Sequence, residues 1–387
     1  MEPRLSEVII SITNRCNLQC AMCQIPLRAA PEMTTPELKG LIEDIVDLHP
    51  RSIVFSGGEP LMRPDIGELI AFANQRKVNT CLTSNGTMIT DQTAAMLASS
   101  GVGVVNVSIE GGQEIHDALR GRGNYKKAVD ALENLRRHKI ETTIATMVCN
   151  LNFGSLSEVM ELAARFGVTT VKFQPFSDIF LKDKADAGRF FCGEKTIDDI
   201  RGNIEKVIEL SRKYRISTNP PAYLRNIPEY LTGMSKYSTN VQCPALWTSC
   251  PISSEGDVHL CWVLSEIVIG NCKSKKITEI WGSVAHDRLR KSVLKDKCSG
   301  CLMSCYDTQY GTNSIPELIA LKARKIKQPQ FYKRQYFRAY QYAQYLFKKV
   351  FNTLLRLNNP LKKNKKAVSL VLDEIRAAKD FLRKQMH

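Results

Sequence analysis

Short runs of β-branched and apolar residues alternate with segments of helical periodicity through the first half of the chain. This alternation predicts repeated βα units around a parallel sheet. Thr34, Thr35, Pro36 and Glu37 provide a capping hydroxyl, an early proline and an early acid, which together predict a helix start. The predicted strands cover residues 8–13, 52–56, 79–83, 104–109, 142–148 and 170–174.

Six βα units precede a cysteine-rich region that begins at Cys243, and a closed eight-stranded barrel would need more chain. The sequence therefore predicts an α/β fold with three parts. An open, partial (β/α)6 TIM-like barrel covers residues 1–220, a small cysteine-rich domain covers residues 235–312, and a basic helical tail covers residues 313–387. Since catalytic groups of such barrels gather at the carboxyl ends of the strands, motifs that follow the strands are candidates for the site.

The chain has 387 residues, of which 43% are hydrophobic, so it can form more than one domain with a proper core. It has no N-terminal stretch that resembles a signal peptide and no run of about 18 apolar residues. Thirteen cysteines without a secretory signal favour metal ligation in a reducing cytoplasm over a disulfide framework.

The basic residues are concentrated at the end of the chain. Residues 321–387 contain 18 Lys and Arg against 3 Asp and Glu, which accounts for the entire net charge of +15. Apolar and aromatic residues recur at helical spacing between Tyr332 and Leu354, with basic residues mostly elsewhere on the wheel. Such a helix could pack on the parent domain or a partner protein, bind an anionic membrane or bind nucleic acid. We expect a cytoplasmic protein whose only route to the membrane periphery is this tail.

Three cysteines follow the first predicted strand directly. Cys16, Cys20 and Cys23 have three and then two residues between them. Three thiolates on one short loop can ligate three corners of an iron–sulfur cube. The fourth iron then has no protein ligand nearby, and an open coordination position allows a substrate or cosubstrate to bind the metal. The alternative is a zinc site completed by a remote Cys or His.

Further motifs follow the next three strands. Gly57, Gly58, Glu59 and Pro60 come after the second strand, where the glycines would let a ligand approach the backbone and Glu59 would provide a carboxylate for an ammonium group. Other motifs, each an ordinary turn by itself, cover residues 84–86, 108–111 and 116–121.

A second group of cysteines lies within 63 residues, and such density predicts another metal site, with structural zinc as the alternative. Its members are Cys243, Cys250, Cys261, Cys272, Cys298, Cys301 and Cys305.

The Cys-x3-Cys-x2-Cys spacing, framed by Thr13, Asn14, Asn17 and Leu18, resembles the loop after the first barrel strand of the radical S-adenosylmethionine superfamily. In that family the open iron binds the amino and carboxylate groups of S-adenosylmethionine. An electron from the cluster then splits this cosubstrate to a 5′-deoxyadenosyl radical that abstracts a substrate hydrogen. The resemblance implies an enzyme with a three-cysteine 4Fe-4S cluster, S-adenosylmethionine and an electron donor such as flavodoxin or ferredoxin.

The resemblance also implies roles for the strand-end motifs. Residues 57–60 match the motif that binds the amino group of the cosubstrate. Ser84 and Asn85 match ribose and carboxylate contacts, and Ser108 and Arg120 are expected to meet the methionine carboxylate.

Two residues depart from the family pattern. Met22 stands where an aromatic residue often lies by the adenine, and its polarizable sulfur can still contact a ring. Glu110 replaces the usual Asp with a longer carboxylate, which leaves its role open. Gln174 is a weaker candidate for the substrate side, and Val148 is expected to pack in the core.

The second cysteine group resembles the SPASM/Twitch extension of the same superfamily. The matching features are Cys243-Pro244, the hairpin at 256–261, Gly270-Asn271, residues 279–281 and Cys298-x2-Cys301. Because the region is shorter than a full SPASM module, we expect one auxiliary 4Fe-4S cluster. Its expected ligands are Cys243, Cys261, Cys298 and Cys301.

The remaining cysteines have other expected roles. Cys250 and Cys305 are expected to be alternate ligands of this cluster or ligands of a second auxiliary cluster. The last four are expected to pack as small buried hydrophobic side chains: Cys81, Cys149, Cys192 and Cys272.

A fully ligated auxiliary cluster suits electron transfer and fold stabilisation, so we expect redox chemistry. Oxidation of the substrate radical would give a dehydrogenation or a cross-link, whereas hydrogen return from Cys250 or Cys305 would give an epimer. Because no extension precedes the first strand, we expect no fused leader-peptide-binding domain. This favours a small molecule or sugar as substrate, with a peptide-modifying maturase as the alternative. A zinc-stabilised protein whose tail binds nucleic acid or membrane is the alternative from another class.

Overall fold

The computed structural model describes residues 5–28, 30–181, 183–233, 243, 245–296 and 301–303. Cys298, Cys305 and the predicted basic tail lie outside the described residues. Among the described helices, none combines the length and the apolar character needed to cross a bilayer.

All six strands predicted from the sequence are found in the structure. Each of their ends differs from the predicted residue by one position at most. The described strands are β1 (Glu7–Thr13), β2 (Ser52–Gly57), β3 (Asn79–Ser84), β4 (Val104–Ser108), β5 (Glu141–Val148), β6 (Thr170–Pro175), β7 (Ser249–Ile252), β8 (Asp257–His259) and β9 (Val268–Asn271).

All nine strands form one sheet in the order β6-β5-β4-β3-β2-β1-β7-β8-β9. Strands β1 to β6 are parallel neighbours in chain order, which confirms the open (β/α)6 arrangement. Their carboxyl ends therefore lie along a single edge of the sheet, which is where the candidate motifs begin.

The sheet continues across the predicted domain boundary between residues 220 and 235. β7 pairs in parallel with β1, from Glu7 opposite Ser249 to Ile10 opposite Ile252. β8 and β9 then extend the sheet as an antiparallel hairpin. The cysteine-rich region thus adds strands to the barrel sheet, and both belong to one compact unit.

Helices connect the parallel strands, and the first of them begins as predicted. Thr34 caps it: the Thr34 hydroxyl accepts from the Glu37 amide, and the Glu37 carboxylate accepts from the Thr34 amide at 2.7 Å. The described α-helices are α1 (Thr35–Asp47), α2 (Ile66–Gln75), α3 (Asp91–Ser100), α4 (Gln113–Arg120), α5 (Asn124–Arg137), α6 (Leu156–Phe166), α7 (Ile197–Tyr214), α8 (Pro221–Leu224), α9 (Ile227–Leu231), α10 (Ala245–Thr248), α11 (Ile277–Ile280) and α12 (Val284–Asp296). Short 3-10 helices cover Ile25–Leu27, Pro60–Met62, Phe153–Ser155, Asp178–Phe180, Lys184–Arg189 and Glu194–Thr196.

Each parallel strand has two different faces. In β1, Val8, Ile10 and Ile12 are buried in the main core, together with Leu38 and Ile42 of α1. The residues between them along the strand are only partly buried, since successive side chains point to opposite faces. One face of the sheet therefore packs under helices, and the other lines the interior of the open barrel.

Candidate active site

The cysteine loop, residues 16–23, leaves the carboxyl end of β1. Cys16, Cys20 and Cys23 are partly exposed and their thiols are free. The Ala21 amide donates to the Leu119 carbonyl of α4 at 2.8 Å, which attaches the loop to the barrel edge. The three thiols are thus held on one loop at the edge where barrel chemistry takes place.

Two N–H donors face the sulfur atoms of this loop. Asn85 Nδ2 lies 3.9 Å from Cys16 Sγ, and Arg120 Nη1 lies 3.9 Å from Cys20 Sγ. Burial raises the pKa of the Cys20 thiol to about 11, and the Arg120 charge opposes that rise. A bound metal would deprotonate such a thiol, and the two donors would stabilise the resulting thiolates.

The donor set fits an iron–sulfur cluster, because three thiolates on one loop match the ligands of a cube that keeps one iron open. Within the described residues, no three Cys, His, Asp or Glu side chains are arranged to hold a single metal ion.

Gly57 and Gly58 let the end of β2 approach the cysteine loop. A Cβ atom on Gly57 would lie 2.2 Å from the Thr13 carbonyl oxygen, and one on Gly58 would lie 2.1 Å from that of Arg15. Gly57 also has a φ of +126°, which favours glycine. These glycines therefore admit the backbone of the cysteine loop, and the approach of a ligand to them stays a prediction. The Gly58 amide donates to Thr13 at 2.7 Å.

Glu59 is fully buried, and its carboxylate is surrounded by donors from its own chain. Oε1 accepts from the Leu61 amide at 3.2 Å and from the Ser84 hydroxyl at 2.9 Å, and Oε2 accepts from the Asn85 amide at 2.8 Å. Burial raises the pKa of Glu59, while these hydrogen bonds lower it. Glu59 therefore fixes the turn after β3 beneath the cysteine loop. This contact differs from the predicted one with an ammonium group.

Asn85 joins this turn to the cysteine loop. Its Nδ2 donates to Asn17 Oδ1 at 2.9 Å, and its Oδ1 accepts from the Thr87 amide at 2.9 Å and hydroxyl at 2.7 Å. Asn17 Nδ2 in turn donates to the Thr87 hydroxyl at 2.9 Å. The structure thus brings together Glu59, Asn85 and Cys16, as the motifs at the strand ends predicted.

Glu110 orients Arg120. Nε and Nη2 of Arg120 donate to Glu110 Oε1 at 2.7 and 2.5 Å, and the Met147 amide donates to Glu110 Oε2 at 2.7 Å. Glu110 is fully buried. The Glu110 amide also donates to His116 Nδ1 at 3.3 Å. The longer carboxylate at this position therefore links the ends of β4 and β5 to α4.

The other predicted residues occupy different surroundings. Ser108 is partly exposed at the end of β4, whereas Met22 and Pro60 are buried. Val148 is fully buried, as expected for a core residue. Gln174 Nε2 lies 3.5 Å from Met303 Sδ in the cysteine-rich region, so the end of β6 contacts that region.

Arg63 is a residue of this site that the sequence motifs did not reveal. It is buried, and its Nη1 donates to the Ile12 carbonyl at 3.2 Å and the Met33 carbonyl at 2.9 Å. Its Nε and Nη2 donate to the two carboxylate oxygens of Asp65 at 2.9 and 2.6 Å. Arg63 therefore ties the end of β1 to the start of α2. The sequence feature that could have indicated its role is the Arg-Pro-Asp segment, which directly follows an apolar turn.

Three of the four predicted auxiliary ligands share one environment. Cys243 and Cys301 are buried in a small apolar cluster that is separate from the barrel core, and Cys261 packs against that cluster. The fourth, Cys298, lies outside the described residues. The apolar partners in this cluster are Ala245, Leu246, Leu260, Val293 and Met303.

Cys250 is in a different place, because it is fully buried in the barrel core. Its thiol pKa is raised well above the ordinary value, chiefly by burial. Cys149 and Cys192 are buried as expected, whereas Cys81 and Cys272 are partly exposed.

Comparisons with known proteins find family models over both cysteine regions. The family model described as "Radical SAM superfamily" matches residues 10–163, and the SPASM model, an "iron-sulfur cluster-binding domain", matches residues 243–302. The AdoMet-dependent heme synthase of Nitratidesulfovibrio vulgaris is 28% identical over 77% of this chain and 85% of its own length. Mycofactocin maturase MftC of Mycolicibacterium smegmatis is 28% identical over 76% of this chain and 74% of its own length.

A solved structure shares the fold. Streptococcus suis SuiB bound to the precursor peptide SuiA superposes with a TM-score of 0.61 at 17% identity, over 79% of this chain and 71% of SuiB. The SPASM match covers the cysteine group that includes Cys243 and Cys301. The chain therefore contains a radical SAM domain and a SPASM iron–sulfur domain, and is an enzyme that uses 4Fe-4S clusters and S-adenosylmethionine.

Proposed function

We propose that this enzyme modifies a peptide by abstracting a hydrogen atom from it. The relative MftC is a maturase, and SuiB, which shares the fold, was solved with a precursor peptide. These relatives favour a peptide over the small molecule or sugar that the sequence alone suggested. The reaction class rests on one observation, which is that Asn85 and Arg120 direct N–H donors at the sulfur atoms of Cys16 and Cys20.

When bound, the cluster and S-adenosylmethionine supply an electron and the 5′-deoxyadenosyl radical that abstracts hydrogen. Cys16, Cys20 and Cys23 would hold this cluster. Arg120, oriented by Glu110, would receive the methionine carboxylate of the cosubstrate together with Ser108, since a guanidinium suits a carboxylate.

The turns after β2 and β3 would complete the cosubstrate site. Gly57, Gly58 and Pro60 shape the turn that carries Glu59, and Glu59 holds Ser84 and Asn85 in place. In this arrangement Glu59 is a positioning residue for the groups around the cosubstrate. Met22 would lie on the adenine side of the same loop.

The auxiliary cluster would be held by Cys243, Cys261, Cys298 and Cys301, and would accept an electron from the substrate radical. We therefore propose an oxidoreductase that forms a cross-link or a double bond. The burial of Cys250 in the barrel core argues against this thiol as the hydrogen donor of an epimerase, because a donor must reach the substrate. Cys305, the other predicted donor, lies outside the described residues. The cysteine content supports a cytoplasmic location with flavodoxin or ferredoxin as electron donor.

A second candidate function is the modification of a small molecule. The relative from Nitratidesulfovibrio vulgaris, which aligns over 77% of this chain, is a heme synthase. A tetrapyrrole substrate would follow from that relationship.

The experiment uses reduced, anaerobically reconstituted enzyme and short peptides encoded by neighbouring genes. We expect 5′-deoxyadenosine together with a loss of two hydrogens from one peptide by mass spectrometry, and neither product from a variant with Cys16, Cys20 and Cys23 all changed to Ala. Cleavage of S-adenosylmethionine at the wild-type rate by that variant would overturn the cluster assignment. Conversion of a tetrapyrrole, with Fe-coproporphyrin III as the probe because a relative from Methanosarcina barkeri is named for it, would favour the second candidate if every peptide stayed unchanged.

A further inference from the structure

Arg290 on α12 is a buried cation near the predicted auxiliary cluster site. Its side chain is only 6% exposed, although arginine seldom lies so far from water. Its guanidinium lies over two aromatic rings, with Cζ 5.5 Å from the ring centroid of Trp247 and 4.9 Å from that of Trp281. Cation–π attraction stabilises a guanidinium in such a position. The charge of Arg290 is therefore held at a defined place inside the protein.

The helix that carries Arg290 also packs on the auxiliary site. Val293 of α12 is buried in the small apolar cluster that contains Cys243 and Cys301. Trp247 packs against the same apolar cluster, and its ring is one of the two that contact Arg290. Arg290 is therefore about one side chain away from the surroundings of the expected auxiliary ligands.

The charge of Arg290 is only partly balanced by its neighbours. Its Nη1 donates to Asp287 Oδ1 at 2.7 Å, but the Asp287 side chain is 51% exposed, so water screens that negative charge. Arg290 Nε is buried and has no hydrogen-bond partner among the described residues. His286 lies one turn earlier and is neutral at pH 7, because burial lowers its pKa to about 3. The protein interior therefore faces an excess of positive charge at Arg290.

Such a charge affects the redox chemistry of an iron–sulfur cluster in one direction. One-electron reduction of a 4Fe-4S cluster adds one negative charge to it. A buried cation nearby stabilises the added charge, because the interaction is only weakly screened inside a protein. The reduction potential is then higher than it would be without the cation, and the oxidised cluster accepts an electron more readily.

We infer that Arg290 raises the reduction potential of the auxiliary cluster and so makes this cluster a better electron acceptor for the substrate radical. This inference rests on the proposed function in one respect, which is the role of the auxiliary cluster as acceptor. In that step the radical loses one electron to the cluster and one proton to water, and the product gains a double bond or a cross-link. Arg290 acts through the charge that it places near the cluster.

The test is a redox titration of the reconstituted holoenzyme without S-adenosylmethionine and without peptide, followed by EPR. The variant that lacks the three cysteines of the loop after β1 identifies the signal of the auxiliary cluster. Arg290→Met removes the buried positive charge, and Asp287→Asn removes the negative charge beside it. The matched control is Arg288→Met, because Arg288 is an exposed arginine on the same helix.

We expect Arg290→Met to lower the equilibrium constant for reduction of the auxiliary cluster about tenfold, which is about 59 mV for one electron. Asp287→Asn should shift the same midpoint in the opposite direction and by less, about threefold, because water screens the charge of Asp287. Arg288→Met should leave the auxiliary midpoint unchanged. The midpoint of the first cluster, on the loop after β1, should stay the same in all three variants.

Two results overturn the inference. The first is an auxiliary midpoint that is the same in the wild type, Arg290→Met and Asp287→Asn. The second is a shift of the same sign in both variants, because altered packing and not charge would then be the cause. If Arg290→Met loses the auxiliary iron, Asp287→Asn decides alone: a shift to higher potential supports the inference, and no shift overturns it.

The two proposals fail in different ways. The titration contains no peptide, so its result does not depend on which substrate the enzyme modifies. If the auxiliary midpoint depends on Arg290 but no peptide loses two hydrogens, the proposed function fails and the inference about the potential stands. If a peptide is modified and the midpoint does not respond to the variants, the inference fails and the proposed function stands.

Discussion

Arg120 and Glu110 form an ion pair in which one oxygen of the buried Glu110 carboxylate accepts two hydrogen bonds from the partly exposed guanidinium, at 2.7 and 2.5 Å. The opposite side of the guanidinium lies 3.9 Å from Cys20 Sγ. The second Glu110 oxygen accepts from the Met147 amide, so the same side chain joins β4 and β5. A shorter carboxylate would not span both contacts without a shift of the backbone. The direction in which Arg120 points is therefore set by Glu110.

The first prediction is that Glu110→Gln lowers the free energy of unfolding by about 2 kcal/mol. The variant leaves the partly exposed Arg120 guanidinium without its counter-charge and sets an amide group against the Met147 N–H. Anaerobic urea denaturation of the reconstituted protein measures this change. Glu133→Gln is the control, because Glu133 pairs with Arg136 on the exposed face of α5, where ion pairs contribute little. Equal behaviour of the two variants would contradict a stabilising role for the Glu110–Arg120 pair.

The parallel strands could be predicted because each has an alternation that is visible within a few residues. β2 was expected at residues 52–56 and is found at Ser52–Gly57. β7 could not be predicted in the same way. It has only four residues, all of them buried, and it includes Pro251, which is unusual inside a sheet. Its partner β1 lies more than two hundred residues away, and no local pattern specifies that pairing.

The candidate site was predictable as a set of motifs but not as a set of contacts. The spacing of Cys16, Cys20 and Cys23 was enough to place the loop after β1. The sequence did not show that Glu59 is enclosed by Ser84 and Asn85, because that depends on how the turns after β2 and β3 meet. Such contacts join residues that are adjacent only once the parallel strands are in register.

The second prediction concerns Glu59→Ala. Removing the carboxylate leaves the Ser84 hydroxyl and the Asn85 amide without their acceptor, so the turn against the cysteine loop loosens. We expect cosubstrate affinity to fall at least about tenfold, while iron content stays near normal because Glu59 is not proposed as a metal ligand. Titration with S-adenosylmethionine, followed by the change in the cluster EPR signal, measures this. Glu68→Ala on α2 is the control, and wild-type affinity in Glu59→Ala would remove the positioning role.

The third prediction is a loss of stability in mild acid that arises from two buried histidines. Burial lowers the pKa of His116 to about 4 and that of His286 to about 3. The positive charge of Arg120 lowers the pKa of His116 further, and that of Arg290 does the same for His286. In the unfolded chain both have the ordinary value of about 6.5. The unfolded state therefore binds more protons as the pH falls below about 6.5, and the native state loses stability over that range.

Between pH 7 and 5.5 each histidine should cost about 1 kcal/mol of unfolding free energy. The variant His116→Asn, His286→Asn keeps an acceptor near each Nδ1, where the Glu110 and Gly282 amides donate. Urea denaturation across this pH range should give a flatter dependence for the double variant. Parallel curves for the two proteins would show that other groups cause the acid sensitivity.

The last prediction separates the two cluster sites. Cys301 lies in the small apolar cluster with Leu246 and Leu260, whereas Cys20 packs against the barrel core. Because the two sites have different surroundings, Cys298→Ala with Cys301→Ala should lower iron by about half and preserve cosubstrate cleavage without substrate turnover.

The matched control for this experiment is Cys149→Ala with Cys192→Ala. Burial raises the pKa of these two thiols to about 12 and about 11, and neither belongs to a predicted ligand set, so iron should stay at the wild-type level. Full iron in the Cys298 and Cys301 variant would mean that the auxiliary ligands are wrongly assigned. Loss of both clusters would mean that the auxiliary site supports the fold of the barrel. The pairing of β7 with β1 makes that second outcome physically reasonable, because the strand that follows Cys243 is itself part of the barrel sheet.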